Sequence, residues 1–479
     1  MMLKVELLSP LIIYFIVVIV IGIYASRFSS KGISEYFIGG RQMGRLVVAL
    51  SAVVSGRSAW LLLGVSGLAY LKGITAIWAV TGYIVVEFLL FIYYAPRIRR
   101  FSEQNDCITL PDFYAARFND KSGFLRILVV IIFIVFMVTY VSSQFVAGGK
   151  AFTAHLGISE QSGLLITALI ILIYTILGGF MAVSLTDVFQ AMVMILVLVG
   201  LPLTGIIGKG GMENVIMELK SIDHEMLDLF RQPALAILGL VGIGLGSPGN
   251  PHIIVRYMSI RDQTQFKWTA VVGTIWNIIM AAGAISIGLV GRTYFNSPDL
   301  LPNGDQENIY VSLANLLVNP FLAGLIIASI FAAIMSTADS QLLIAASSIV
   351  RDIYEKMIRK ETEISQKQLT RWSRVVVLMI VLVAVVLAFS IKEQILWFVL
   401  FAWAGLGAAI GPTSLLALFW KKTTKEGVIG GLIAGSATVF IWKSSKILSA
   451  ALYELIPGFI MALVLTIIIS LFTKKKDDP

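Results

Sequence analysis

One cysteine, Cys107, stands in the whole chain, so neither an intrachain disulfide nor a cysteine-built metal cluster can form. Histidine is nearly as scarce: His155, His224 and His252 are too scattered to read as a His-rich metal site. Charge is short as well. Asp, Glu, Lys and Arg make up 14% of 479 residues while 58% are hydrophobic, and the mean hydropathy is +0.88. A soluble domain of this length needs far more polar surface to cover its core, which excludes the soluble classes. The apolar-polar alternation of a membrane β-barrel is also missing, because the apolar runs are continuous. No HExxH, GxSxG or compact carboxylate–histidine group occurs, so the chain does not read as an enzyme. No loop exceeds roughly 30 residues, and a chain so divided has no room for the soluble output domain of a sensor. Acids are the scarcer sign, 28 against 37 Lys and Arg, for a net charge of +9. Those bases lie between the apolar runs, which reads as cytoplasmic-loop charge and not as a nucleic-acid surface.

What is present is a series of apolar runs, about 13 of them, each near the roughly 20 residues that a bilayer-spanning helix needs. They cover 7–26, 45–67, 73–95, 124–148, 163–180, 185–208, 233–258, 266–291, 320–350, 375–391, 396–419, 427–442 and 450–472. The first lacks a basic leader and a small-residue cleavage site, so it reads as a retained helix. Basic residues cluster after every odd-numbered run: Arg27, Lys31, Arg41 and Arg45; Arg97 to Arg126; Arg256, Arg261 and Lys267; Arg351 to Arg374, Lys360 among them; Lys421, Lys422 and Lys425; and Lys474 to Lys476. About 26 of the bases fall on that side and about 10 on the other, which places the C-terminus in the cytoplasm and the N-terminus outside. The remaining base, Arg57, lies inside a span. The expected class is an all-α, multi-pass protein of the inner cell membrane. Its expected partners are the lipid bilayer and a small-molecule substrate, with no obligate protein partner.

Two spans do not read as simple helices. The second carries Ser51, Ser55, Gly56, Arg57 and Ser58 at mid-membrane, and the seventh carries Gly244, Gly246, Pro248, Gly249 and Pro251. Pro removes a helix hydrogen bond and Gly loosens the backbone. Freed backbone groups at membrane depth are tolerated where they line a cavity or are buried in protein. Paired broken helices in matching positions of two halves point to a transporter's central site. The breaks lie five spans apart, which suits inverted repeats at 45–208 and 209–419, flanked by an extra helix and loop at 1–44 and two helices with a basic tail at 420–479. Gly244-Leu-Gly246-Ser-Pro-Gly249 formally fits GxGxxG, but no strand precedes it, so no dinucleotide site is read there.

With those residues in view, the chain resembles the sodium:solute symporter family, and within it the sodium/proline branch. The matching stretches are SAVVSGRSAWLLLG (51–64), GGFMAVSLTDVFQA (178–191), GNPHIIVRYM (249–258) and AAIMSTADSQLL (332–343). The resemblance implies a LeuT-type fold of five-plus-five inverted repeats, alternating access, and solute import by sodium symport with no other cofactor. It implies a sodium site built from the carbonyls of Val54, Arg57 and Ala333 and the hydroxyls of Ser336 and Thr337. Back-bonding of those hydroxyls to their own helix is the bland alternative. Asp187 is implied near the ion path, or else caps the sixth span. Asp339 is a second ion-coupling candidate, or else serves an exit path or local polar groups. His252, after a Pro, reads as a backbone-bonded residue.

The departures bear on mechanism. The sodium/proline branch has Asp and Met where this chain has Gly56 and Arg57. An unpaired Arg at mid-membrane costs at least ~2.5 kcal/mol. Three readings stay open: pairing with Asp187 or Asp339 so that the guanidinium replaces sodium, which would leave a proton-coupled or sodium-independent carrier; binding a substrate carboxylate; or pointing into a polar crevice while its carbonyl still serves sodium. The substrate set implied by position is Arg57, Ser58, Trp60, Tyr140, Ile243, Ser247 and Asn250. Proline carriers have Trp and Tyr where Ile243 and Ser247 stand, and Gln where Asn250 stands. Proline, another amino acid and an organic acid are all candidate solutes.

Overall fold

A computed structural model describes residues 5–29, 32–359, 364–391 and 394–473. Lys31, Lys360 and Lys474 to Lys476 of the basic clusters lie outside the described residues. Among the described residues every regular element is helical, apart from an isolated bridge between Met43 and Ile260.

The main helices are α1 (Val5–Ser29), α2 (Arg45–Ser55), α3 (Ile77–Leu89), α4 (Phe124–Leu156), α5 (Glu160–Gly208), α6 (Ala234–Val241), α7 (Pro251–Ser259), α8 (Phe266–Tyr294), α9 (Pro320–Ser347), α10 (Gln366–Ala388), α11 (Ile395–Phe419), α12 (Lys425–Ser444) and α13 (Leu455–Thr473). Exposed apolar side chains such as Ile12, Ile16, Leu169, Val383 and Val386 face outward on α1, α5 and α10. In water that surface would be costly. In a bilayer it is the solvated face, and the protein is a multi-pass membrane protein. At the centre stands α9, buried at every residue from 326 to 347 and packed on α1, α4 and α5.

Length and apolarity pick out ten spanning helices among the described residues, or eleven if one bent pair counts as a single span, so the expected count of thirteen is not recovered this way. The shortfall has physical causes. The second span splits after Ser55, and its remainder runs on into the third as one stretch, Trp60–Gln104. The fifth, Glu160–Ile176, is short on its own. It joins the sixth across Gly179, whose φ of 59° and ψ of −170° kink the chain without ending the hydrogen-bonded run. The seventh span is the bent pair. A tight 3₁₀ stretch, Gly242–Gly249, follows α6, Asn250 is extended, and Pro251 starts α7 at a 49° bend. Proline suits that first helical position because its missing N–H would find no partner there.

Candidate functional site

The corner where α2 breaks lies against α9. Gly56 N–H bonds Val53 O at 3.1 Å and Arg57 N–H bonds Val54 O at 2.8 Å, closing the last turn of α2. Ser336 on α9 donates to Ala333 O at 3.1 Å and approaches Val54 O at 3.4 Å, while Thr337 donates to Ser55 O at 2.8 Å. Two of the candidate carbonyls, Val54 and Ala333, therefore meet at the Ser336 hydroxyl. Thr337 reaches the next carbonyl along, and Arg57 enters the corner through its N–H. Ser336 back-bonds within its own helix and faces α2 at the same time. All these groups are buried. The donors are neutral oxygens, and that set fits a hard monovalent cation.

The Arg57 side chain leaves this corner. Its Nη2 pairs with Glu87 Oε2 on α3 at 2.5 Å, its Nε donates to Asn277 Oδ1 on α8 at 3.0 Å, and its Nη1 donates to Gly56 O at 3.0 Å. The guanidinium lies 3.6 Å over the Tyr83 ring. The pairing of Arg57 with Asp187 or Asp339, one of the three open readings, does not form, because Glu87 lies in direct reach and both aspartates are engaged elsewhere.

Asp187 accepts from Ser51 at 2.5 Å and from Arg256 Nη2 at 2.8 Å. It sits about two turns past the Gly179 kink, inside α5, so it caps no helix start. Arg256 also donates to Ser51 and Ser340, each at 2.6 Å, and to the His252 carbonyl. Asp339 accepts from Tyr174 at 2.5 Å and from Ser340 at 3.0 Å. Ser340 in turn bonds Ser336 O at 2.8 Å, which ties this charged cluster to the α2–α9 corner.

The solute candidates gather around the two breaks. Ser58 and Tyr140 hydroxyls are 3.3 Å apart, Trp60 Nε1 donates to Gly56 O at 3.1 Å, and Asn250 Nδ2 donates to Gly246 O at 2.8 Å. Trp403 of α11 donates to Ile243 O at 2.9 Å, so an aromatic from another helix fills in beside the small residues of the seventh span. His252 stands between Tyr140 and Trp403, with ring centroids 6.3 and 6.4 Å away. Neither of its ring nitrogens has a hydrogen-bond partner, which corrects the backbone-bonded reading. Asn250 Oδ1, at the second break, is likewise buried and unpartnered. Buried polar groups normally find partners, so this group has bonding capacity to offer a polar solute. Ile243 also lines a cavity of about 520 Å³, together with Leu68, Lys72, Leu240, Leu400 and Tyr453.

Sequence reasoning missed Glu87, Arg256 and Asn277. Glu87 is an acid inside an apolar run, which is signal enough by itself. Arg256 reads as loop charge because it closes the seventh span, yet it is 1% exposed. Asn277 carried no signal beyond being polar in a span.

Two broken spans crossing beside a buried oxygen cluster, in a shell of lipid-facing helices, define a membrane carrier of the LeuT-type fold. The sodium:solute symporter family profile matches residues 36–435, and the chain belongs to that family. It is 39% identical over 458 residues to the high-affinity proline transporter PutP of Bacillus subtilis, covering 95% of this chain and 96% of that one. It is 37% identical over 479 residues to the sodium/proline symporter of Escherichia coli, covering 99% and 94%. A Na+-coupled sialic acid symporter, solved in a substrate-bound outward-open state, superposes with a TM-score of 0.82 over 98% of both chains at 20% identity.

Proposed function

We propose that the protein imports a small organic solute by sodium symport through alternating access, with proline the first candidate. The observation that carries this reading is the α2–α9 corner, where Val54 O, Ala333 O and the Ser336 hydroxyl converge while the Arg57 guanidinium is held away on Glu87. That geometry disfavours a guanidinium standing in for the ion. It supports the third reading of Arg57, in which the side chain lies in a polar crevice and the backbone stays available to sodium. Val54, Arg57, Ala333, Ser336 and Thr337 would hold the ion, with Asp187 and Asp339 acting through Ser340. Ser58, Trp60, Tyr140, Ile243, Ser247 and Asn250 would line the solute site, and Arg57 would shape it from behind. The repeats would run 45–208 and 209–419, with the C-terminus in the cytoplasm. Proline is favoured by the names of the relatives. Another amino acid or an organic acid is the second candidate, because Ile243 and Ser247 stand where proline carriers have two large aromatics.

The test is uptake of labelled proline, other amino acids and organic acids by proteoliposomes under a sodium gradient, a proton gradient or neither. Sodium-driven uptake of one class is expected. Uptake that ignores sodium and follows protons would overturn the coupling, and no uptake of any class would overturn the solute assignment.

A further inference from the structure

Glu87 hydrogen-bonds to both helix breaks. Its Oε2 accepts from Arg57 at the first break and from Asn277 Nδ2 at 2.9 Å, and its Oε1 accepts from Ser247 at the second break at 3.2 Å. Arg57 and Asn277 close the ring at 3.0 Å. Arg57 and Glu87 are 0% and 2% exposed, and Tyr83 stacks on the guanidinium. The ring spans α3, α8 and both broken segments. It carries one positive and one negative charge, so it adds no net charge beside the corner. Arg57 is bonded to the Gly56 carbonyl, and its own N–H rests on Val54 O, a candidate ion ligand.

We infer that Glu87 is a positioning residue of the cation corner: it cancels the guanidinium that the chain carries beside that corner, and it fixes the second break to the first. The inference rests on the sodium reading above. It has a sign that packing alone lacks. Removing the negative member leaves a buried positive charge next to a cation site. Removing both members restores neutrality.

The measurement is calorimetric sodium binding to purified protein without solute, with thermal unfolding recorded alongside. In Glu87→Gln the sodium concentration at half-saturation should rise at least about tenfold, since a bare charge at this range is weakly screened. In the double variant Arg57→Met, Glu87→Leu it should return to within about threefold of the native value, one hydrogen bond's worth. Ser247→Ala removes one bond and no charge, and it should raise the value about threefold. If Glu87→Gln does not accumulate, Ser247→Ala tests the tie between the breaks and sodium binding by the neutral double variant tests the charge. Native-like sodium binding in Glu87→Gln, an equal loss in the single and double variants, or an unchanged value in Ser247→Ala would each overturn the inference while leaving the symport reading intact. A native protein that binds no sodium would overturn both.

Discussion

Thr337 and Ser336 differ in what they hold. Ser336 is shared between its own helix and the α2 terminus, whereas Thr337 makes its single bond across to Ser55 O. A cation at this corner would take both hydroxyls as ligands, and hydrogen-bond-type contacts to a charge contribute about 1.5–3 kcal/mol each. Thr337→Ala and Ser336→Ala should therefore each raise the half-saturating sodium for uptake by about ten- to a hundredfold, at little cost to folding. Vmax at saturating sodium should change far less. A loss of Vmax with unchanged sodium dependence would remove these hydroxyls from the ion site. At this scale Ser336 and Thr337 are singled out through the family resemblance that STADS and SGRS carry, with back-bonding as the alternative, and Ser336 does bond within its own helix while facing α2. The partner of Arg57 was not legible. Glu87 lies 30 positions away on another helix, and only packing brings that helix to it.

The second break depends on backbone meeting backbone. A Cβ on Gly82 of α3 would fall 1.9 Å from Val241 O, and one on Gly244 would fall 2.3 Å from Gly82 O. This contact brings α3 close enough for Glu87 to reach Ser247. Gly82→Ala or Gly244→Ala should cost about 1–3 kcal/mol through overpacking, read as a lower unfolding temperature in detergent. The same variants should weaken solute binding, because the seventh span is pushed off its seat. An unchanged unfolding temperature would mean the contact is slack. The positions of both breaks were readable from Gly and Pro clusters, which act on the local backbone. The continuity of α5 was not, because one glycine can turn a helix without ending its hydrogen bonds. Nor was the burial of Arg256, since its distance from the end of an apolar run says nothing of what packs over it.

Across the whole molecule, charged clusters sit at opposite ends of the spans. Lys150 pairs with Asp305 and Glu307, and Glu307 also accepts the Ile395 and Leu396 N–H groups at the start of α11. At the other end Arg126 pairs with Asp112 and Asp352, and Arg351 with Asp112. Which end faces the cytoplasm is proposed from the excess of Lys and Arg on the Arg126 side, and the lone cysteine makes that testable. Cys107 is 1% exposed, and burial pushes its thiol up to about 12. A maleimide needs the thiolate, so the native protein should stay unlabelled. Lys446→Cys and Lys421→Cys each put a thiol at an exposed position, in the α12–α13 and α11–α12 connections. With a membrane-impermeant maleimide on intact cells, Lys446→Cys should label at once and Lys421→Cys only after permeabilisation. The reverse pattern would invert the protein in the membrane. It would also place the 520 Å³ cavity, which Lys446 helps to line, on the cytoplasmic side.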